Sequence, residues 1–313
     1  MPSAAPEPDP DPATALRPAL PSPLQELDSA ADPAFHRRGI RLLLKRDDLI
    51  HPDLPGNKWR KLMPTLRAAA GRPLLTFGGA YSNHLRATAA AGRLLGFPTI
   101  GVVRGDELAD RPLNPSLARC AADGMTLVFV DRATYRRKDD PATLARLLAE
   151  HAPPGTRAVP EGGSDALAAT GCAALGRELR GLTDVAAVAC GTGGTLAGLA
   201  AGLAPGQRAL GFPVLKGGFL TAECVRLQRE AFGGRVGDWR LEERFHGGGY
   251  ARTGPELEAF ATAFEDRHAV PVERIYVAKM LWGLTTLVTE GAFEPGTTLT
   301  AVITGSPFRP PRP

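Results

Sequence analysis

The residue best suited to covalent chemistry is Lys58, in the run Gly56-Asn57-Lys58-Trp59-Arg60-Lys61-Leu62 that follows Leu44-Lys45-Arg46-Asp47-Asp48-Leu49. Only six lysines occur (Lys45, Lys58, Lys61, Lys138, Lys216 and Lys279) against thirty-one arginines, so chemistry that needs a lysine amine has few candidates. A strand with an acidic end meets a Gly-Asn turn, and Asn57 reads as the N-cap of a helix with Lys58 in its first turn. The helix dipole disfavours a cation there. That environment favours the neutral amine that a carbonyl-capturing lysine requires. Taken alone, the segment reads more readily as a solvated basic turn. Lys61, one turn further on, reads as directed elsewhere.

A second centre is Gly191-Thr192-Gly193-Gly194-Thr195, between the apolar run Val185–Cys190 and an Ala/Leu/Gly helix. Such a turn presents bare backbone N–H groups at a helix N-terminus, and Thr192 and Thr195 add hydroxyl donors, so an anion is the natural occupant. A dinucleotide fingerprint would need glycine where Leu196 stands, and a P-loop would need Gly-Lys-Ser/Thr; neither is present. A compact monophosphate remains. Ser82, Asn83 and His84 begin a helix after the strand Leu74–Phe77, Pro160-Glu161-Gly162-Gly163-Ser164 repeats the pattern, and Thr304 tips the last strand. One phosphate loop, one reactive lysine and several hydroxyl-tipped strand ends suit pyridoxal 5'-phosphate (PLP), which carries one phosphate, an aldehyde, a phenolic oxygen and a ring nitrogen.

Strands are expected at Leu74–Phe77, Thr99–Val103, Met125–Val130, Val185–Cys190, Arg208–Val214 and Thr298–Thr304. Helices are expected at Asn83–Leu95, Pro115–Ala122, Pro141–His151, Gly193–Leu203 and Glu256–Arg267. This alternation predicts an α/β fold with a parallel sheet covered on both faces. Residues 1–33 hold nine prolines and the last seven residues four, so both ends, 1–33 and 307–313, read as tails. With 313 residues, 43% hydrophobic and 22% charged, the composition is that of a core-building globular chain without a bilayer-length apolar run. A net charge of +4, spread without blocks, is too small to imply a nucleic-acid or membrane surface, and neither partner is expected. The four cysteines are far apart without a Cys-x-x-Cys pair, which argues against a metal site. The N-terminus lacks the pattern of a secretory signal, so a reducing cytoplasm is the expectation.

The ordered segments Lys45–Leu49, Gly56–Leu62, Ser82–His84, Pro160–Ser164, Gly191–Thr195, His246-Gly247-Gly248-Gly249-Tyr250 and Thr304-Gly305 resemble the fold-type II PLP enzymes. The similarity is to the branch containing 1-aminocyclopropane-1-carboxylate (ACC) deaminase and D-cysteine desulfhydrase. It implies a tryptophan-synthase-β-like fold of two open, twisted, mostly parallel sheets flanked by helices. A large domain (34–60 and 169–306) would carry a smaller inserted one (61–168), with the cofactor between them and a homodimer as the assembly. The resemblance makes Lys58 the lysine that bonds the cofactor, Asn83 the partner of its phenolic oxygen, Gly191 to Thr195 its phosphate cradle and Thr304 the neighbour of its ring nitrogen. Ser82 and the N–H groups of Asn83 and His84 would hold the substrate carboxylate, with Tyr250 and Tyr276 facing the substrate. Two departures stand out: Val277 replaces the family's usual threonine or glutamate after Tyr276, and Ser306 replaces a glycine. In the branch, glutamate at the position of Val277 goes with ACC ring opening and a hydroxyl with desulfhydration. The resemblance therefore implies a lyase releasing pyruvate, ammonia and sulfide from a small amino acid such as D-cysteine. The alternatives are ACC deamination, or a cofactor-holding protein with little turnover.

Overall fold

The computed structural model describes residues 11–28 and 31–308. Ten strands form two sheets. The first, in the order β1-β2-β10-β7-β8-β9, is built from β1 (Leu24–Glu26), β2 (Arg41–Lys45), β7 (Val185–Cys190), β8 (Arg208–Pro213), β9 (Asp238–Leu241) and β10 (Thr298–Val302). The second, in the order β5-β4-β3-β6, is built from β3 (Leu74–Gly78), β4 (Thr99–Arg104), β5 (Met125–Val130) and β6 (Arg157–Val159). All pairings are parallel except β1 with β2. Every residue of β3 and β7 is buried, as expected of parallel strands covered on both faces.

The helices are α1 (Pro12–Leu16), α2 (Pro33–Arg38), α3 (Asn57–Ala69), α4 (Asn83–Leu95), α5 (Pro115–Ala122), α6 (Arg132–Arg136), α7 (Pro141–His151), α8 (Ala166–Glu178), α9 (Gly194–Gly202), α10 (Leu220–Phe232), α11 (Pro255–His268) and α12 (Val277–Glu290). Their starts follow local chemistry: Asp11, Asp32, Ser82, Asn114, Asp140 and Asp165 each cap a helix by accepting from a backbone N–H of its first turn. The largest core cluster packs α11 and α12 against β2, β7, β8 and β10. A separate one gathers α3 and α4 around Leu74 of β3.

The tail expected over residues 1–33 is corrected. Residues 1–10 and 29–30 lie outside the described set, but Pro12 and Pro33 open α1 and α2 at N1, where a fixed φ is an advantage, and Leu24–Glu26 pairs with Leu43–Lys45. At the other end, 309–313 lie outside the described residues, whereas Phe308 packs on Arg86 with guanidinium carbon and ring centroid 4.2 Å apart. The expected domain limits at 60/61 and 168/169 fall inside α3 and α8, two unbroken helices. The four strands of the second sheet all lie within residues 74–159.

Candidate active site

The carboxyl ends of both sheets open on one cleft of about 500 Å³, the size of a small-molecule site. α3 enters it through a tight turn. Gly56 has φ +67°, and a Cβ there would stand 1.7 Å from the carbonyl oxygen of Thr304. Only glycine lets the end of β10 and the start of α3 approach this closely. The helix begins at Asn57, so Asn57 is not the N-cap; its Nδ2 reaches across to donate to Thr195 Oγ1 at 2.9 Å. Lys58 follows on the cleft wall, Nζ 3.4 Å from Asn57 Oδ1. Burial, helped by the nearby Lys61, pushes its pKa down to about 7, so much of the amine is neutral at physiological pH.

Lys61 is not directed elsewhere. Its Nζ donates to Ser164 Oγ at 2.6 Å and to Gly162 O at 3.1 Å, and lies 3.4 Å from Thr192 Oγ1. Residues i and i+3 share a helix face, a spacing that could have exposed this role from sequence. The Ser164 and Thr192 hydroxyls are hydrogen-bonded to each other. Lys61, Ser164, Thr192 and Thr195 thus ring the glycine turn of Gly191, Gly193 and Gly194. A Cβ on Gly194 would stand 2.9 Å from Ser164 Oγ and 3.3 Å from Lys61 Nζ, and one on Gly193 would stand 2.8 Å from Cys224 Sγ. The turn opens into α9, whose first N–H groups have no helical acceptor. A cation, three hydroxyls and bare N–H groups around backbone that tolerates no side chain form a donor set fitted to a phosphate.

On the opposite wall Ser82 caps α4, its Oγ accepting from Leu85 N at 3.3 Å, and Asn83 begins the helix with its Oδ1 accepting from Arg86. His84 points away from solvent. Thr76 Oγ1 donates to Val159 O at 2.9 Å and lies 2.8 Å from His84 Nε2; a hydroxyl has one proton, so Nε2 carries the imidazole hydrogen and Nδ1 is a bare acceptor. That Nδ1 is buried without a partner among the described residues. Burial, with Lys58 and Lys61 nearby, holds the ring neutral.

Tyr250 and Tyr276 face each other edge to face, centroids 6.0 Å apart, and burial raises both phenol pKa values, so each keeps its proton. The glycine loop that carries Tyr250 is held by Lys279, which donates to His246 O and Gly249 O at 2.8 Å each. Thr304 lines the cleft, and Ser306 Oγ donates to Asp48 Oδ2 at 3.3 Å. Val277 does not line it; its side chain is in the core of the first sheet. Glu273, which the sequence gave no reason to select, lines the cleft just ahead of α12 and accepts from the N–H groups of Ile275, Tyr276 and Val277 at 2.8, 2.7 and 3.4 Å. Among the described residues no His/Cys/Asp/Glu group is arranged to hold a metal, and no helix is long and apolar enough to cross a membrane.

A cleft between two open α/β sheets, with a neutral lysine beside a phosphate cradle, defines a protein that holds a phosphorylated carbonyl cofactor. The model of the family described as pyridoxal-phosphate dependent enzymes matches residues 16–305, and the chain belongs to that family, with PLP as its cofactor. A putative ACC deaminase of Thermotoga maritima is 33% identical over 191 residues, 58% of this chain and 59% of that protein. One of Pyrococcus furiosus is 28% identical over 274 residues, 81% of each, and a D-cysteine desulfhydrase of Yersinia pestis is 34% identical over 199 residues, 58% of this chain and 57% of that protein. The match to the first and third thus spans less than two thirds of their length. The crystal structure of an ACC deaminase homologue superposes with a TM-score of 0.77 at 25% identity, covering 95% of this chain and 94% of the other. A tomato threonine deaminase, TM-score 0.66 at 15% identity, shares the fold.

Proposed function

We propose that the protein is a lyase that eliminates a β-substituent from a small amino acid, with desulfhydration of D-cysteine to pyruvate, ammonia and sulfide as the reaction that fits best. The bound cofactor supplies an aldehyde that bonds amines and a conjugated ring that takes electron density from the substrate α-carbon. The chain does the rest. Ser82 and the N–H groups of Asn83 and His84 receive the α-carboxylate at the positive end of α4. Lys58, neutral near pH 7, accepts the α proton. Tyr250 and Tyr276, kept protonated by burial, would give a proton to the departing group. Homodimeric assembly and a cytoplasmic setting belong to this reading; the four free, buried cysteines suit a reducing compartment.

The observation that carries the choice of substrate is the pair Thr304 and Val277. From the end of β10 the cleft receives a hydroxyl. α12 itself lends the cleft no side chain; of the residues just ahead of it, Glu273 has its carboxylate oxygens committed to three backbone N–H groups and Tyr276 brings a neutral phenol. A ring nitrogen met by a neutral hydroxyl stays largely unprotonated and is a weak electron sink, which suits substrates with a leaving group on Cβ; ACC has none. ACC deamination is the second reading, favoured by the names of the Thermotoga and Pyrococcus relatives. The test compares ammonia release from D-cysteine, L-cysteine and ACC at equal enzyme concentration. Cysteine is expected to turn over fastest, with Thr304→Val lowering that rate. Faster turnover of ACC than of either cysteine isomer would falsify the assignment.

A further inference from the structure

Arg86 is a costly residue where it stands. It lies in the first turns of α4, where the helix dipole disfavours a cation, and burial lowers its pKa. Yet no carboxylate stands within ion-pair distance of it among the described residues. Its partners are neutral: Nη1 donates to Ser116 Oγ at 2.6 Å, Nη2 donates to Asn83 Oδ1, and the Phe308 ring covers the guanidinium face at 4.2 Å. Ser116 is itself buried at the start of α5, so two helices and the segment after β10 hold this side chain in one position. An arginine desolvated with only the more distant Glu273 carboxylate to offset its charge is destabilising by itself, and its placement on the cleft wall calls for a reason in the site.

The reason lies in Asn83. Side-chain amides have two ends that differ in chemistry, and a free amide can flip. A guanidinium has only donors, so the atom that faces Arg86 must be the carbonyl oxygen. The amide NH2 is then the end left without a partner among the described residues, on a residue that lines the cleft. We infer that Arg86 is a positioning residue, which locks the Asn83 amide with its NH2 toward the phenolic oxygen of the cofactor. This rests on Asn83 being the partner of that oxygen. Without Arg86 the amide is free to turn its carbonyl to the cleft, exchanging a donor for an acceptor.

The effect is readable on the cofactor before any substrate is added. A donor to the phenolic oxygen withdraws charge from it, so losing the donor makes that oxygen hold a neighbouring proton more tightly. The pH midpoint of the bound cofactor's visible absorbance is expected to rise by about one unit in Arg86→Met, given the strength of a hydrogen bond to a charged group, and by a similar amount in Asn83→Ala. The double variant is expected to shift no further than Asn83→Ala alone, because the two residues act as one. Arg86→Lys keeps the charge with a single point donor and is expected to shift less, and it carries the measurement if the methionine variant does not fold. An unmoved midpoint in Asn83→Ala overturns the assignment of Asn83 and the inference with it. An unmoved midpoint in a folded Arg86 variant, or additive shifts in the double variant, overturns the inference alone. None of these readings depends on which amino acid is the substrate, so failure of the proposed elimination leaves them intact.

Discussion

Lys58 and Lys61 stand one turn apart on α3 with different partners, and the difference sets what each can do. Among the described residues Lys58 hydrogen-bonds through its amine only to Asn57, whereas Lys61 is bound to the Gly162 carbonyl and the Ser164 hydroxyl. A pKa of about 7 lies below the value of a free lysine, so the neutral form appears as pH rises through 7 and the protonated form returns below it. Cofactor capture by the apoprotein needs the neutral amine, so its rate is expected to rise about tenfold between pH 6 and pH 8 and then level off. Stopped-flow absorbance checks this, and a rate that climbs steadily to pH 10 would show an unperturbed lysine. Borohydride reduction followed by mass spectrometry should fix the cofactor to the wild-type chain and not to Lys58→Ala. For Lys61→Ala the covalent bond should persist while apoprotein affinity for the cofactor drops about 10- to 100-fold, the worth of one charge-assisted hydrogen bond to phosphate; unchanged affinity would remove Lys61 from the cradle. Lys58 was legible in the sequence because lysines are scarce and a Gly-Asn turn precedes it. Arg86 was not, because its partner Ser116 stands 30 residues away; Lys61 could be read only from its spacing to Lys58, since its partner Gly162 lies 101 residues away, and the local bonds of Glu273 to the next turn gave no sign that it lines the cleft.

The element that places the phosphate cradle is the pair α8 and α9, packed with backbones in near contact. A Cβ added to Gly198 would stand 2.2 Å from the Ala169 carbonyl oxygen, one on Gly176 2.2 Å from Leu199 O, and one on Gly202 2.1 Å from Ala173 O. Glycine is needed at these points for closeness and not for backbone freedom, since each lies inside a helix. The Ala/Leu/Gly run was visible in the sequence and gave the helix correctly, but composition does not say which neighbour the small face meets. Gly198→Ala is expected to destabilise by about 3 kcal/mol through overpacking against rigid backbone, and to weaken cofactor binding as α9 shifts its N-terminal turn. Gly206→Ala is the contrast: φ is +87° and nothing lies within 4 Å, so only the left-handed strain of about 1 kcal/mol is expected, with cofactor affinity intact. Urea unfolding of both holoproteins separates the cases. Equal losses would show that the α8–α9 contact has more slack than its distances imply.

At the scale of the molecule, a parallel sheet covered by helices could be anticipated because strand and helix periods alternate from Leu74 onward, and parallel strands buried on both faces read as continuous apolar runs; the division into two sheets came only from the family resemblance, and the short strands β6 and β9 gave no such run. The N-terminal segment could not be anticipated, because its order comes from polar contacts across the fold and not from its own pattern. Ser22 Oγ donates to Asp47 Oδ1 at 2.6 Å, and Ser22 O accepts from Lys45 Nζ at 2.6 Å. Asp47 in turn takes two bonds of 2.7 Å from Arg60, which reaches Glu178 at 2.8 Å, and Lys45 closes the ring to Glu178 at 2.7 Å. This network ties β1, β2, α3 and α8 together directly beneath the turn that presents Lys58. Its core is fully desolvated, with Asp47 0% and Arg60 3% exposed, so the bonds are costly to leave unmade. Ser22→Ala strips one donor from a buried carboxylate and is expected to cost about 2 kcal/mol. Deleting residues 1–26 also removes the β1 pairing and should lower the urea midpoint further, with loss of cofactor as α3 loosens. Equal urea midpoints and cofactor occupancy in the deleted and full-length proteins would return this segment to the status of a tail, and would show that Asp47 and Arg60 hold α3 in place without it.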